Sequence, residues 1–309
     1  MRDTIIRVLT EASKVSRDIV LLTGDLGFGV LQNFSEQFPG RLINVGIAEQ
    51  NMTGVAAGLS LEGKTVVTYS IGNFNTLRCL EHIRNDICYH QLHVIIVSVG
   101  CGLSYGPLGF SHHSTEDMSI MRSIPNLIVV SPGCLWEAEQ ATTAALNSPG
   151  SYYLRVDKAS VPSTERPGEQ FVLGKARLFG DGRDCTLVTT GGMLRVVLAA
   201  QASLLHENIA CRVISVPTIK PFDSSVVLNS VRETKGMVTV EEHTIVGGLG
   251  SAVAEVLADH CAAPRFFRRI GLNDCFATVV GSQEYLREYY HIGESHIVQE
   301  VRRCIERSG

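Results

Sequence analysis

Asn44-Val-Gly-Ile-Ala-Glu49-Gln-Asn-Met-Thr-Gly-Val-Ala-Ala-Gly58 is the stretch of sequence that says most about this chain. The apolar run Arg41–Val45 is typical of a short strand, and residues 51–61 predict a helix rich in small residues. Glu49 therefore stands between a strand and a helix. Because open α/β sheets bind ligands beyond the carboxyl ends of their strands, this position favours a functional carboxylate. Taken alone, Glu49 can equally be a helix-start acid stabilised by the helix dipole.

Strand and helix patterns alternate on both sides of this stretch, which predicts an α/β fold with mainly parallel sheets flanked by helices. A polar segment with two prolines, residues 160–169, predicts a linker. We therefore expect domains at residues 1–160 and 175–309, joined by a linker at 161–174. The predicted strands are Ile19–Leu22, Lys64–Ser70, Val94–Val99, Leu127–Val130, Cys185–Thr189, Ala210–Val216 and Met237–Glu241, and the predicted helices include Thr76–Tyr89, Leu194–Glu207 and Leu249–His260.

Composition narrows the class of protein. The chain has 309 residues, enough for two hydrophobic cores, and a net charge of −4 from 27 basic and 31 acidic residues. That balance shows no excess of positive charge of the kind that nucleic-acid-binding proteins carry. No apolar run approaches the roughly 20 residues that cross a bilayer. Nine cysteines without a Cys-x-x-Cys pair indicate neither a disulfide framework nor a zinc site, so we expect a cytoplasmic protein.

Further motifs accompany Glu49 in a fixed order, and together they resemble the thiamine-diphosphate-dependent transketolase family over nearly the whole chain. The resemblance implies a thiamine diphosphate pyrimidine-binding domain followed by a transketolase C-terminal domain. The motifs are Gly24-Asp-Leu-Gly27, Phe74 with Arg78-x-x-Glu-x-Ile-Arg-Asn85, Ser111-His-His-Ser-Thr-Glu-Asp117 before Met121-Arg-x-Ile-Pro-Asn-Leu127, and Val240-Glu-Glu-His243 with Gly247-Gly-Leu-Gly-Ser251.

The resemblance also implies which residues hold the cofactor. Glu49 would be the catalytic carboxyl group that hydrogen-bonds to N1′ of the aminopyrimidine and promotes its imino form, so that the cofactor can deprotonate its own C2. Phe74 would stack on the aminopyrimidine ring, with Tyr69 as the second choice. Asp25 would lie near the thiazolium, although an aspartate beside a glycine is also common in turns.

A second set of residues would bind the substrate. His112 matches a catalytic loop histidine that meets the substrate oxygen near the reacting carbon, where it can donate or shuttle a proton. His113 stands where the family usually has glutamine, so either imidazole can be the inward one. Arg155 and Arg2 match arginines that bind the sugar phosphate. For Arg2, a solvated N-terminal charge is an equal alternative.

Two departures from the family pattern concern the donor sugar. Leu108 replaces an aspartate that reads a donor hydroxyl, and Gly100 replaces a phosphate-binding histidine. We therefore expect a specialised sugar substrate.

The chain lacks a credible magnesium motif. Gly180-Asp-Gly182 with Asn208 imitates the family's Gly-Asp-Gly…Asn signature, but its flanks predict a hairpin turn between two strands. The Mg²⁺ ligands, which hold the diphosphate, would therefore come from a partner, an N-terminal transketolase subunit of roughly 250–300 residues. Two copies of each chain would form a heterotetramer.

The function predicted is that of the C-terminal subunit of a split transketolase, which transfers a two-carbon ketol unit between sugars through a thiamine diphosphate carbanion. Three alternatives stay open. The chain can be the β subunit of a 2-oxoacid dehydrogenase E1 component, half of a 1-deoxyxylulose-phosphate-synthase-like enzyme, or a non-catalytic subunit of the same fold.

Overall fold

The computed structural model describes residues 1–157 and 163–308. The start of the predicted linker, at 161–162, lies outside the described residues. The strands are β1 Ile19–Thr23, β2 Leu42–Asn44, β3 Thr65–Ile71, β4 Val94–Val99, β5 Leu127–Val130, β6 Ser151–Val156, β7 Arg177–Phe179, β8 Cys185–Thr189, β9 Cys211–Ser215, β10 Thr218–Lys220, β11 Gly236–Thr244 and β12 Phe266–Leu272.

Helices cover both sheets, as the alternating pattern predicts. The α-helices are α1 Arg2–Val15, α2 Gln32–Gln37, α3 Glu49–Leu61, α4 Gly72–Asn75, α5 Leu80–His82, α6 Asp117–Ser123, α7 Leu135–Asn147, α8 Met193–His206, α9 Ser224–Glu233, α10 Leu249–Asp259, α11 Gln283–Tyr289 and α12 Glu294–Ser308. Across the part of the chain that the structure describes, none of the helices is both long enough and apolar enough to cross a lipid bilayer.

The first sheet carries the candidate site. Its strand order is β10-β5-β6-β4-β3-β1-β2, and every pairing is parallel except that of β10 with β5. All five residues of β1 and all six of β4 are buried, as expected for strands covered on both faces. Because β1, β2 and β3 run in the same direction, the loops after Thr23, Asn44 and Ile71 meet at one edge of the sheet.

The second sheet has the order β12-β11-β8-β9-β7. Strand β7 pairs antiparallel with β9, whereas β8 pairs with β9 and β11. The predicted hairpin at Gly180-Asp-Gly182 is therefore wrong: this turn joins two strands that β9 separates. The fold as a whole agrees with the predicted pair of mainly parallel, helix-flanked sheets.

Strand β10 joins the two halves of the chain. It follows β9 of the second sheet, yet Thr218 and Lys220 pair with Val130 and Val129 of the first. The first sheet therefore ends in a strand that comes from beyond the predicted linker. The exact domain bounds stay a prediction.

The predicted helix Thr76–Tyr89 is broken into short pieces. A 3₁₀ turn, Leu77–Cys79, separates α4 from α5, and a π-helical turn, Ile83–Cys88, follows. Two side-chain hydrogen bonds to the backbone explain the break. Thr76 Oγ1 donates to the Gly72 carbonyl at 2.6 Å, and Asn75 Nδ2 donates to the Val97 carbonyl on β4 at 3.1 Å. Arg78 lies in this 3₁₀ turn and reaches Glu49 at the N-terminus of α3.

Candidate active site

Glu49 is the first residue of α3 and is 1% exposed. Its backbone stands at a helix N-terminus, where a carboxylate is favoured by the helix dipole. The chain passes close by: a Cβ on Gly24 would lie 3.3 Å from Glu49 Oε1. The same oxygen accepts a long hydrogen bond, 3.5 Å, from Ser70 Oγ at the end of β3. The strand-to-helix position inferred from the sequence thus places a buried carboxylate at the edge where three loops meet.

Arg78 supplies the positive charge next to this carboxylate. Its Nη1 donates to Glu49 Oε2 at 2.5 Å. The Arg78 side chain is 43% exposed, whereas Glu49, at the N-terminus of α3, is buried. The ion pair therefore extends from the interior to solvent. Its guanidinium carbon also lies 4.7 Å from the centre of the Phe74 ring, within cation–π range.

Phe74 and His112 complete the cluster. Their rings meet edge to face, 5.2 Å apart and at 65°. Ser111 Oγ and His112 Nδ1 are 3.0 Å apart, and Asn73 Nδ2 donates to the Ser111 carbonyl at 3.4 Å. These contacts fasten the histidine loop to α4. The structure therefore brings together three predicted site residues, Glu49, Phe74 and His112.

His113 is the buried member of the histidine pair. It is 2% exposed, and burial lowers the pKa of its imidazole, which keeps it neutral at pH 7. His112, by contrast, is partly exposed beside Phe74. Of the two histidines, His112 is the one that the structure puts at the cluster.

Asp25 lies on the rim of the cluster. Its φ of +58° places it in the left-handed region, which aspartate tolerates better than most residues. Its amide donates to Asn44 Oδ1 at 2.9 Å, and Asn44 Nδ2 donates to Asp25 Oδ1 at 3.2 Å. This reciprocal pair ties the loop after β1 to the last residue of β2. The side chain of Asp25 is exposed and next to Gly24, on which a Cβ would lie 3.3 Å from Glu49 Oε1.

Tyr69 and Arg2 lie apart from Glu49. Successive residues of a strand face opposite sides, so Tyr69 faces away from the side of β3 on which Ser70 meets Glu49. Burial raises the pKa of Tyr69, and the nearby Arg2 opposes this rise. Arg2 itself pairs with Asp3 at 2.9 Å. That Tyr69 stacks on the aminopyrimidine as second choice to Phe74 stays a prediction.

Arg155 is buried and links the two halves of the chain through hydrogen bonds. Its Nε donates to Asp117 Oδ2 at 2.8 Å, and its Nη2 donates to the carbonyls of Ser114 and Glu242 at 3.2 and 3.1 Å. The Arg155 side chain is 6% exposed. These contacts hold the segment after the histidine loop against β11, and they do not support the predicted contact with a sugar phosphate.

Sequence reasoning passed over Arg78 as a site residue, although it belongs to a quoted motif. The available signal was its spacing from Phe74. Arg78 follows Phe74 by four residues, and an arginine beside an aromatic ring can stack on it.

The residues present fit an aminopyrimidine. Such a ring needs a carboxyl group at N1′, an aromatic face and a close approach of backbone, and Glu49, Phe74 and Gly24 offer these. Within residues 1–157 and 163–308, no three His, Cys, Asp or Glu side chains lie close enough together to hold a metal ion. A magnesium diphosphate therefore has no carboxylate cluster in this part of the chain.

Comparison with known proteins agrees with this arrangement. The transketolase pyrimidine-binding domain matches residues 1–164, and the transketolase C-terminal domain matches residues 174–297. The chain is 37% identical to the 6-deoxy-6-sulfo-D-fructose transketolase subunit SqwH of a Clostridium species, over 99% of this chain and 95% of that protein. It is 36% identical to an apulose-4-phosphate transketolase subunit of Actinobacillus succinogenes, over 86% of this chain and 85% of that protein.

Solved structures show the same relationship. A structure described as a split gene transketolase, inactive beta4 tetramer, superposes with a TM-score of 0.88 at 35% identity, covering 99% of this chain and 97% of the other. Transketolase from Campylobacter jejuni shares the fold, with a TM-score of 0.82 at 18% identity, and the match covers 98% of this chain but 46% of that one. The chain therefore belongs to the transketolase family, as a subunit of the split type that carries the pyrimidine-binding and C-terminal domains.

Proposed function

We propose that this chain forms, with an N-terminal partner subunit, a thiamine-diphosphate-dependent transketolase that moves a two-carbon ketol unit between sugars. The observation that carries the proposal is the cluster at the end of the first sheet. Arg78 contacts both a buried carboxylate, Glu49, and an aromatic ring, Phe74, and a loop histidine, His112, packs against that ring. A subunit that served only as a scaffold would have no need to hold these three groups together.

When bound, thiamine diphosphate supplies the carbon nucleophile that breaks and forms the bond next to the sugar carbonyl. Glu49 would hold the pyrimidine at N1′. Its position at the N-terminus of α3, under Gly24 and Ser70, excludes water from the carboxyl group and fixes its direction. Phe74 would give the ring a flat apolar surface.

His112 is placed to handle the proton on the substrate oxygen. Ser111 Oγ lies 3.0 Å from its Nδ1, and Nε2 would be the ring nitrogen that meets the substrate. An imidazole can donate from that nitrogen to a developing alkoxide and take the proton back. Contact with Phe74 sets the position of the imidazole before substrate arrives.

A partner subunit would supply the Mg²⁺ and diphosphate ligands. The support for a partner is that similar proteins are named as transketolase subunits. A similar split-gene chain forms an inactive tetramer of one subunit type, which supports the need for a second type. We propose two copies of each chain in the active assembly.

The donor would be a specialised sugar. Leu108 is 54% exposed in the loop before His112, and Phe110 beside it is 66% exposed. An apolar side chain there cannot bond a donor hydroxyl as a carboxylate would. Two similar proteins are named as a 6-deoxy-6-sulfo-D-fructose transketolase subunit and an apulose-4-phosphate transketolase subunit.

The test is calorimetry with and without the partner. The purified chain, titrated with magnesium and thiamine diphosphate, should show no micromolar binding and no ketol transfer. The same chain mixed with its N-terminal partner should bind the cofactor and turn over sugar. Tight binding and ketol transfer by this chain alone would refute the need for a partner, and a mixture that binds no cofactor would refute the proposed function.

A further inference from the structure

The groups proposed to hold the aminopyrimidine are both engaged by one side chain. Arg78 donates to Glu49 at 2.5 Å and lies 4.7 Å from the centre of Phe74. Ser70 also donates to the Glu49 carboxylate, at the limiting distance of 3.5 Å. The guanidinium therefore binds one oxygen of the carboxylate and lies over the aromatic ring, the two groups that we propose as the cofactor's partners.

The chemistry of the two groups is alike. A guanidinium is planar, carries N–H donors in its plane and stacks on aromatic rings. An aminopyrimidine is also planar, bonds a carboxyl group through its edge and stacks through its face. We infer that the Arg78 guanidinium occupies the position at Glu49 and Phe74 that the aminopyrimidine would take. The cofactor must therefore displace Arg78 in order to bind. This inference rests on the proposed function, because it takes Glu49 and Phe74 as the cofactor's partners.

The surroundings of Arg78 allow its side chain to be displaced. Its side chain is 43% exposed, while the carboxylate that it meets is 1% exposed. Departure would return the guanidinium to water, where it needs no new partner. The residue lies in the short 3₁₀ turn Leu77–Cys79, between helical pieces, so its backbone is outside the regular α-helical ladder. A structural ion pair such as Arg155–Asp117, in contrast, is buried at both ends.

The contact of Arg78 with Glu49 should lower the apparent affinity of the chain for the pyrimidine. A ligand that binds only the open state loses affinity in proportion to the open fraction. A half-exposed ion pair is worth up to roughly fivefold in an equilibrium constant, and the stacking contact adds to it. Removing Arg78 should therefore tighten pyrimidine binding between about three- and tenfold.

The experiment uses the full chain and the ring alone. The probe is 4-amino-5-hydroxymethyl-2-methylpyrimidine, titrated by ligand-observed NMR against wild type and Arg78→Met. Arg78→Met should bind it several-fold more tightly than wild type, and Arg78→Lys, which keeps the charge but not the planar group, should fall between them. Arg84→Met is the matched control, since Arg84 is exposed and six residues further along. It should behave as wild type.

A second measurement follows Arg78 itself. The Nε–Hε signal of Arg78 in the wild-type chain should move when the pyrimidine saturates the site, because the guanidinium loses Glu49. Equal or weaker binding by Arg78→Met, or an Arg78 signal that does not move at saturation, overturns the inference. If the assembled enzyme binds thiamine diphosphate and turns over sugar while Arg78→Met changes nothing, the proposed function stands and this inference alone fails. If neither chain nor assembly binds pyrimidine or cofactor, both fail.

Discussion

His112 presents its imidazole to the ring of Phe74 at 5.2 Å, across an angle of 65° between the ring planes. The two residues come from separate segments, the loop before α6 and helix α4, and their contact joins the proposed substrate side of the site to the proposed cofactor side. An edge-to-face aromatic pair of this kind fixes the imidazole at a small entropic cost.

The first prediction concerns that contact. His112→Ala in the assembled enzyme should lower kcat by about 10²–10⁴-fold, because a proton donor at the substrate oxygen is lost. The Kd for thiamine diphosphate should change by less than about threefold, since the proposed cofactor contacts are Glu49 and Phe74. His90→Ala, at an exposed position, is the control. A loss confined to cofactor affinity would contradict the assignment.

Leu108 should determine the choice of donor. Wild-type enzyme should use xylulose 5-phosphate poorly, and Leu108→Asp should raise kcat/KM for it by restoring a hydroxyl acceptor. Leu108→Asn separates the effect of charge from that of hydrogen bonding. The measurement is kcat/KM with xylulose 5-phosphate for all three proteins. High efficiency of the wild type with this ordinary sugar phosphate would rule out a specialised donor.

Arg155 should matter for folding. Arg155→Met leaves Asp117 buried without its main positive partner, and loss of one partner of a buried pair costs about 3–5 kcal/mol in the free energy of unfolding. Urea denaturation measures this. Breaking the exposed pair Lys64–Asp18 with Lys64→Met is the control and should have little effect. A stable Arg155→Met chain with a raised KM for sugar phosphate would instead restore the substrate role that the sequence predicted.

His243 should set part of the acid sensitivity of the fold. Burial lowers its pKa to about 4, the Asp117 carboxylate opposes this shift, and Arg155 adds to it. Ser119 N–H meets Nε2 at 3.3 Å, and Thr244 O lies 2.7 Å from Nδ1, an arrangement that suits the neutral Nδ1–H tautomer.

Because the folded pKa lies below the unfolded value near 6.5, the contribution of His243 is complete above pH 6.5 and is lost as the pH falls towards 4. His243→Gln should therefore flatten the fall in the free energy of unfolding across this window, by up to roughly 3 kcal/mol. Glu241 works in the opposite direction, since burial raises its pKa to about 7, so the difference between variant and wild type is the quantity to measure. Parallel curves would contradict the prediction.

Much of the fold follows from local sequence pattern. Strands such as β1 and β4 bury both faces and consist of continuous apolar runs, so their positions were predictable. Strand β10 was not, because three residues carry no period and its partner, β5, belongs to the other half of the chain. The turn at residues 180–182 was misread for the same reason: which strand pairs with β7 depends on long-range contacts.

The residues of the candidate site could also be predicted only in part. Glu49 and His112 stand in motifs whose residue types fit one chemistry, and they could be named from sequence. Tyr69 and Arg155 could not be judged, since their roles depend on which face of a strand they occupy and on partners more than 30 residues away. Arg78 was overlooked because its partner Glu49 lies 29 residues earlier in the chain.

The most direct measurement is hydrogen–deuterium exchange at C2 of thiamine diphosphate bound to the assembled enzyme, with Glu49→Gln against wild type. An amide cannot supply the carboxyl proton to N1′, so exchange in Glu49→Gln should fall towards the rate of the free cofactor, while circular dichroism shows an intact fold. Glu62→Gln, at an exposed position just beyond α3, is the control and should exchange as wild type does. Wild-type exchange rates in Glu49→Gln would contradict the role assigned to Glu49.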